Sequence, residues 1–188
     1  MPPSSSADSS TAIVPSPNST RCVKSDVIPA PYPWATTKRA HVRNLNDLLS
    51  SGIRTITGTV ECDIYNHKQD LEFDLQREFK QVASFIAANK SSIMLRRTPE
   101  AWLYPPRTCW VCCRGESYVR PIISSKKRSI NWLFLLLGEM IGHCTFDQLK
   151  YFCKHTNITP LTGGRDRLTC LAYLGLCKQL DPSGPFDP

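Results

Sequence analysis

Nine cysteines stand at positions 22, 62, 109, 112, 113, 144, 153, 170 and 177, and their spacing decides what chemistry the chain can offer. Cys109 and Cys112 are separated by two residues, which lets both sulfurs of one tight turn face a single ion. A structural zinc site needs four soft or borderline ligands meeting tetrahedrally, usually as two close pairs on two separate turns. The second pair here is incomplete, because position 65, three residues after Cys62, holds Tyr65. The imidazole of His67 is the available substitute, so the expected ligand set is Cys62, His67, Cys109 and Cys112, with zinc as the expected ion. Cys113 is a further candidate, expected to point away from its neighbour. The competing reading makes Cys62 and Cys112 small buried hydrophobes, since free cysteine is among the residue types most often found inside.

A second chemistry open to these residues is nucleophilic catalysis by a thiol, with Cys112, Cys113 or Cys153 as nucleophile and a nearby base such as His143 or His155. Core packing is the stronger reading of Cys153, which shares a helical face with Phe146 and Leu149, and of Cys170 and Cys177, which lie seven residues apart on one stripe. The sequence holds no glycine-rich phosphate loop, no paired carboxylates in a suggestive setting and no Ser/His/Asp arrangement. A non-enzymatic binding or scaffold module is therefore the expected class, with a thiol-dependent enzyme as the alternative.

The elements that must position these residues follow from pattern. Of 188 residues, 41% are hydrophobic, enough for a real core once the Ser/Pro-rich stretch 1–31, expected to be disordered, is set aside. One compact domain is expected over 32–188, with knuckles at 62–67 and 109–113. Pro31, Tyr32, Pro33 and Trp34 present two aromatics on extended backbone where the chain joins the domain. Leu45, Leu48 and Leu49 predict a helix. Ile56, Gly58, Val60 and Cys62, then Leu71, Phe73 and Leu75, alternate as the two strands of a hairpin with its turn over 63–70.

Phe79, Val82, Ala83 and Ile86 mark an amphipathic helix, a proline-bearing loop leads to Cys109, and 118–123 reads as another strand. Ser129 is expected to cap a helix over 131–141, Thr145 and Gln148 form a capping box for the next one, and Asp166 starts the last. The sum is an α+β fold, a small antiparallel sheet with zinc-ribbon-like cysteine knuckles packed against four or five helices.

Residues 1–17 contain no Lys or Arg and no apolar run, so a secretory signal is not expected. The apolar segment 130–141 is shorter than the ~20 residues a bilayer span requires and reads as a buried helix. In an unsecreted chain the cysteines are expected to be reduced thiols, in the nucleus or cytoplasm. The formal charge is +7, and its excess lies in the second half: residues 90–188 hold 14 basic and 7 acidic side chains. Lys126, Lys127 and Arg128, with Arg107, Arg114 and Arg120 upstream, can meet a protein or nucleic-acid partner, although a solvated face is the commoner role of such a strip.

From Pro31 to Pro188 the chain resembles a plant family, the domain of unknown function 7086. The likeness rests on Pro-Tyr-Pro-Trp-Ala at 31–35, KRSINWLFLLLG at 127–138, QLKYFCKH at 148–155 and YLGLCKQLDPSGPF at 173–186. It implies plant origin and one shared fold, and brings no established activity. Family members carry two Cys-x-x-Cys turns, which map to positions 62, 65, 109 and 112; this chain departs at Tyr65. The departure leaves three outcomes: no ion, an ion held through His67, or packing of the Tyr65 ring between the strands.

Overall fold

In the computed structural model, residue 25 and residues 27–188 are described, apart from 96, 104–106, 110, 161 and 162; most of the stretch expected to be disordered lies outside them. The elements run α1 (Leu45–Ser50), β1 (Thr55–Cys62), β2 (Lys68–Asp74), α2 (Leu75–Ala88), α3 (Lys90–Met94), α4 (Glu100–Leu103), β3 (Val119–Pro121), α5 (Trp132–Leu137), α6 (Phe146–His155) and α7 (Arg165–Leu180). Single 3-10 turns at Lys127–Ser129 and Ile141–His143 flank α5. The architecture is the expected α+β, with three antiparallel strands in the order β2-β1-β3.

The alternation in β1 sorts its side chains by face. Ile56, Val60 and Cys62 are buried, while the odd positions carry Thr55, Thr57, Thr59 and Glu61 toward solvent. That outer face is stitched by polar pairs: the Thr59 hydroxyl donates to Asp70 Oδ1 at 2.6 Å, and Arg120 lies 3.1 Å from Glu61. β2 begins at Lys68, earlier than the apolar alternation starting at Leu71 suggests, so the turn shrinks to residues 63–67. Asp74 ends β2 and at once accepts a hydrogen bond from the backbone N–H of Arg77 at 2.7 Å, which caps α2 without an intervening loop.

Against the inner face lies α5, whose six residues are all buried. A helix apolar on every side belongs at the centre of a fold, and burying each of its large side chains contributes about 1.5–3 kcal/mol. Its cap is Asn131, whose side chain accepts from the N–H of Phe134 at 3.2 Å, not Ser129, and it stops at Leu137 because the chain turns at Gly138 and left-handed Glu139. α6 opens with the expected capping box of Thr145 and Gln148. α7 is buried almost continuously from Leu168 to Cys177, wider than the single apolar face expected, because α6 and α5 pack against it and Trp102 of α4 stacks on Tyr173 at 4.0 Å. No described helix is long and apolar enough to cross a membrane.

The packed chain is already in place at Ile28, which is buried and donates its N–H to Thr37 O at 2.8 Å. Tyr32 and Trp34 stack at 4.8 Å, and the Tyr32 hydroxyl donates to Ser129 O at 3.0 Å, so the two aromatics dock as their prolines suggest.

The contact between sheet and α5 is tightest at Gly58, where an added Cβ would meet the Phe134 ring at 2.5 Å. Phe134 is itself stacked on Phe73 at 5.1 Å and has no free side to retreat to. Gly58→Ala is expected to cost about 1–3 kcal/mol of stability, read as a lower urea midpoint at unchanged slope; an unmoved midpoint would show that the ring relocates at no cost.

Candidate metal centre

Cys62 is the last residue of β1, and the five residues after it fold into a tight turn. The N–H of Asn66 donates to Cys62 O at 2.9 Å, the N–H of Cys62 donates to His67 O at 2.9 Å, and Asn66 takes the left-handed conformation (φ 52°) that such a turn demands. The second turn is closed at its base by the bridge between Thr108 and Tyr118, with Cys109 N–H donating to Ser117 O at 2.6 Å. Inside it the N–H of Gly115 returns to Cys109 O at 2.8 Å, which requires two successive left-handed residues, Arg114 (φ 47°) and Gly115 (φ 90°).

Pairing of β3 with β1 then brings the turns side by side. Cys62 sits opposite Val119, and Asp63 N–H donates to Tyr118 O at 3.0 Å. Four sulfurs meet as a result, those of Cys62, Cys109, Cys112 and Cys113, all within 4.8 Å of one another. Cys62 and Cys113 approach to 3.3 Å, Cys109 and Cys112 to 3.2 Å, and Cys112 and Cys113 to 3.6 Å. Cys62, Cys109 and Cys113 are buried and Cys112 is half-buried. Four cysteine sulfurs this close can hold a metal ion.

Three of the expected ligands, Cys62, Cys109 and Cys112, are thus brought together. The imidazole of His67 is exposed and is not among the groups that meet there. Its residue contributes the backbone carbonyl that closes the first turn. The fourth sulfur belongs to Cys113, which faces inward where the sequence suggested outward. The left-handed pair at 114–115 turns the chain back so that Cys112 and Cys113 both reach the centre, and Arg114 carries no sequence signal of that conformation. Tyr65, at 65% exposure, does not pack between the strands.

The two turns present the same donors to their leading sulfurs. The backbone N–H of Tyr65, with that of Ile64, is directed at Cys62 and lowers its pKa to about 6, against the opposing effect of burial. The backbone N–H of Cys112, with that of Val111, does the same at Cys109, which is also lowered. Cys112 is pushed up by sharing a proton with Cys109, and Cys113 by burial. An array that keeps some thiols ionised and others protonated is one a cation would discharge, because each coordinating thiol gives up its proton.

The remaining described cysteines belong to the core. Burial raises Cys153 to about 11 and Cys144 to about 12, and lifts Cys170 and Cys177 as well. Leu149 is buried beside Cys153 as expected, but Phe146 is 43% exposed and lies beneath the Lys150 ammonium at 5.3 Å.

Fold and site together define a small α+β domain with a four-cysteine knuckle at one end of its sheet. Residues 45–180 match the family described as Domain of unknown function (DUF7086), and the chain belongs to that family. No curated protein and no solved structure matches the chain.

The contrast between the two sets of thiols is measurable. With chelator present at pH 8, iodoacetamide is expected to label Cys62, which keeps thiolate character down to about pH 6, ahead of Cys144 and Cys153, whose raised values leave them protonated. Peptide mapping that found Cys153 alkylated as fast as free cysteine would overturn this assignment.

Proposed function

We propose that the domain is a non-enzymatic binding module whose knuckle is locked by one structural zinc held by Cys62, Cys109, Cys112 and Cys113. The convergence of those four sulfurs within 4.8 Å carries the reading. A Zn–S bond of about 2.3 Å in a tetrahedron places sulfurs about 3.8 Å apart, and the observed separations, from 3.2 Å to no more than 4.8 Å, bracket that distance. Zinc suits an all-thiolate set without redox demands, and a closed set of four leaves no coordination position for substrate, which is the arrangement of structural sites. Reduced thiols of this kind belong in a reducing compartment, nucleus or cytoplasm.

The thiol-enzyme alternative needs an accessible sulfur with a depressed pKa beside a base. Cys153 is buried and raised, and the thiols of the knuckle are committed to one another. Binding is assigned to the basic second half, where Lys126 and Arg128 are exposed on the segment after β3. Arg120 is less available, being engaged by Glu61 and Asp63.

Elemental analysis of the purified protein is expected to give one zinc per chain, lost in Cys113→Ser and retained in His67→Ala. Because the first turn keeps its knuckle form around Tyr65, the double variant Cys113→Ser, Tyr65→Cys is expected to regain the ion. Zinc retained in Cys113→Ser, or lost in His67→Ala, would refute the ligand set. Affinity for duplex DNA that falls linearly in log-log terms with added salt identifies phosphate as the partner surface, whereas no such binding assigns the basic half to an acidic protein.

A further inference from the structure

A cleft of about 440 Å³ opens beneath the inner face of the sheet, lined by Leu71 and Phe73 of β2, Val119 of β3, Arg107, and the Gly138–Glu139 corner after α5. Small-molecule sites run from roughly 300 to 1,000 Å³, and their usual make-up is apolar walls with a few fixed polar groups. Its polar lining comprises Gln69, Glu72 and Thr108 and two further groups, Arg107 and Glu139.

The first is Arg107. Its Nε donates to Gly138 O at 2.7 Å, and its guanidinium carbon lies 4.8 Å over the Phe73 ring, so the side chain is held at both ends. Among the described residues neither terminal nitrogen has an acceptor, which leaves a pinned, planar fork of the kind that takes a carboxylate through two parallel hydrogen bonds.

The second is Glu139, a non-glycine residue held at φ 53°. That conformation closes α5, the N–H of Glu139 donating to Leu136 O at 3.0 Å and that of Met140 to Leu135 O at 2.8 Å, and it fixes where the side chain leaves the corner. The carboxyl is half-buried and raised in pKa, first by desolvation, with Arg107 and the Trp102 indole N–H counteracting in part. It makes no ion pair with Arg107. Behind it lie the buried Trp102 indole N–H, directed at the carboxyl, and the buried Tyr173 hydroxyl, on which the carboxyl also acts.

We propose that this cleft binds a small zwitterion of the α-amino acid type, its carboxylate on the Arg107 fork, its ammonium on Glu139 and its apolar side chain against Leu71, Phe73 and Val119. Opposite charges that share a cleft without touching fit a ligand carrying both charges a few ångströms apart. The site stands apart from the zinc reading and needs no metal.

The test is calorimetric and protein-observed NMR titration of the full chain with L-leucine, L-methionine and L-phenylalanine, each beside its amide and its deaminated acid. At least one amino acid is expected to bind and to shift the resonances of Leu71 and Phe73. Its amide, which lacks the carboxylate, and the Arg107→Gln variant should each bind about tenfold or more weakly. Glu139→Gln should weaken the amino acid by a similar factor and leave the deaminated acid within about twofold. Arg107 also bonds Gly138, so Arg107→Gln can fail to fold; the ligand analogues and Glu139→Gln carry the test without it. No binding by any of the three at millimolar concentration overturns the proposal, as does binding that ignores the amide or Glu139→Gln.

Discussion

The structure depends on one short pairing, three residues long, between the end of β1 and β3. Cys62 opposite Val119, with Asp63 N–H donating to Tyr118 O, is what carries the loop of residues 109–117 back to the turn at 62–67. Closing that contact encloses α2, α3 and α4, and the closure entropy of so long a segment amounts to several kcal/mol. Three ladder pairs on a sheet edge are a weak return on it, since an isolated short ribbon is marginal in water. A metal ion held by the four sulfurs of both turns would secure the closure where the ladder alone is thinnest.

Position 65 shows how the first turn keeps its shape without a second sulfur of its own. Backbone donors, not the side chain at the fourth position of the turn, define the first knuckle: the N–H groups of Ile64 and Tyr65 address Cys62 as those of Val111 and Cys112 address Cys109. A phenol at position 65 therefore leaves the turn intact and simply stands out in solvent. The second turn contributes three of the four sulfurs, those of Cys109, Cys112 and Cys113. The adjacent pair Cys112 and Cys113 reaches one centre only because the chain reverses immediately afterwards through Arg114 and Gly115, both left-handed.

Much of this arrangement is visible in the sequence wherever period and chemistry agree. The alternation ending at Cys62 marks β1, the leucines mark α1, Thr145 and Gln148 mark the start of α6, and Cys109 with Cys112 marks the knuckle. The failures have equally local causes. α3 and α4, the latter directly after Pro99, are too short for a period to emerge, yet α4 supplies Trp102 at the heart of the core. β2 extends back to Lys68 because it is an edge strand whose first residues face solvent and need no apolar alternation. His67 is the substitute the sequence offers because its imidazole lies in the first turn, and the sequence is silent about the positive φ of a non-glycine such as Arg114, on which the direction of Cys113 depends. α7 reads as amphipathic because Gly175 and Thr169 look like a polar side; both are buried, where Phe152 of α6 and Ile158 close over the glycine.

The knuckle and the cleft share one strip of backbone. Arg107 lines the cleft, Thr108 bridges to Tyr118, and Cys109 enters the four-sulfur group, three consecutive residues with three separate tasks. The N–H of Val119 donates to Arg107 O at 2.8 Å while Val119 itself pairs with Cys62, so the strand that completes the knuckle also fixes the base of the arginine. Anything that tightens the four sulfurs holds residues 107–109 in register with β3, and the guanidinium over Phe73 inherits that order. The rigid end of the sheet thereby acts on a polar group two residues away through main-chain hydrogen bonds alone, with no movement of the core required.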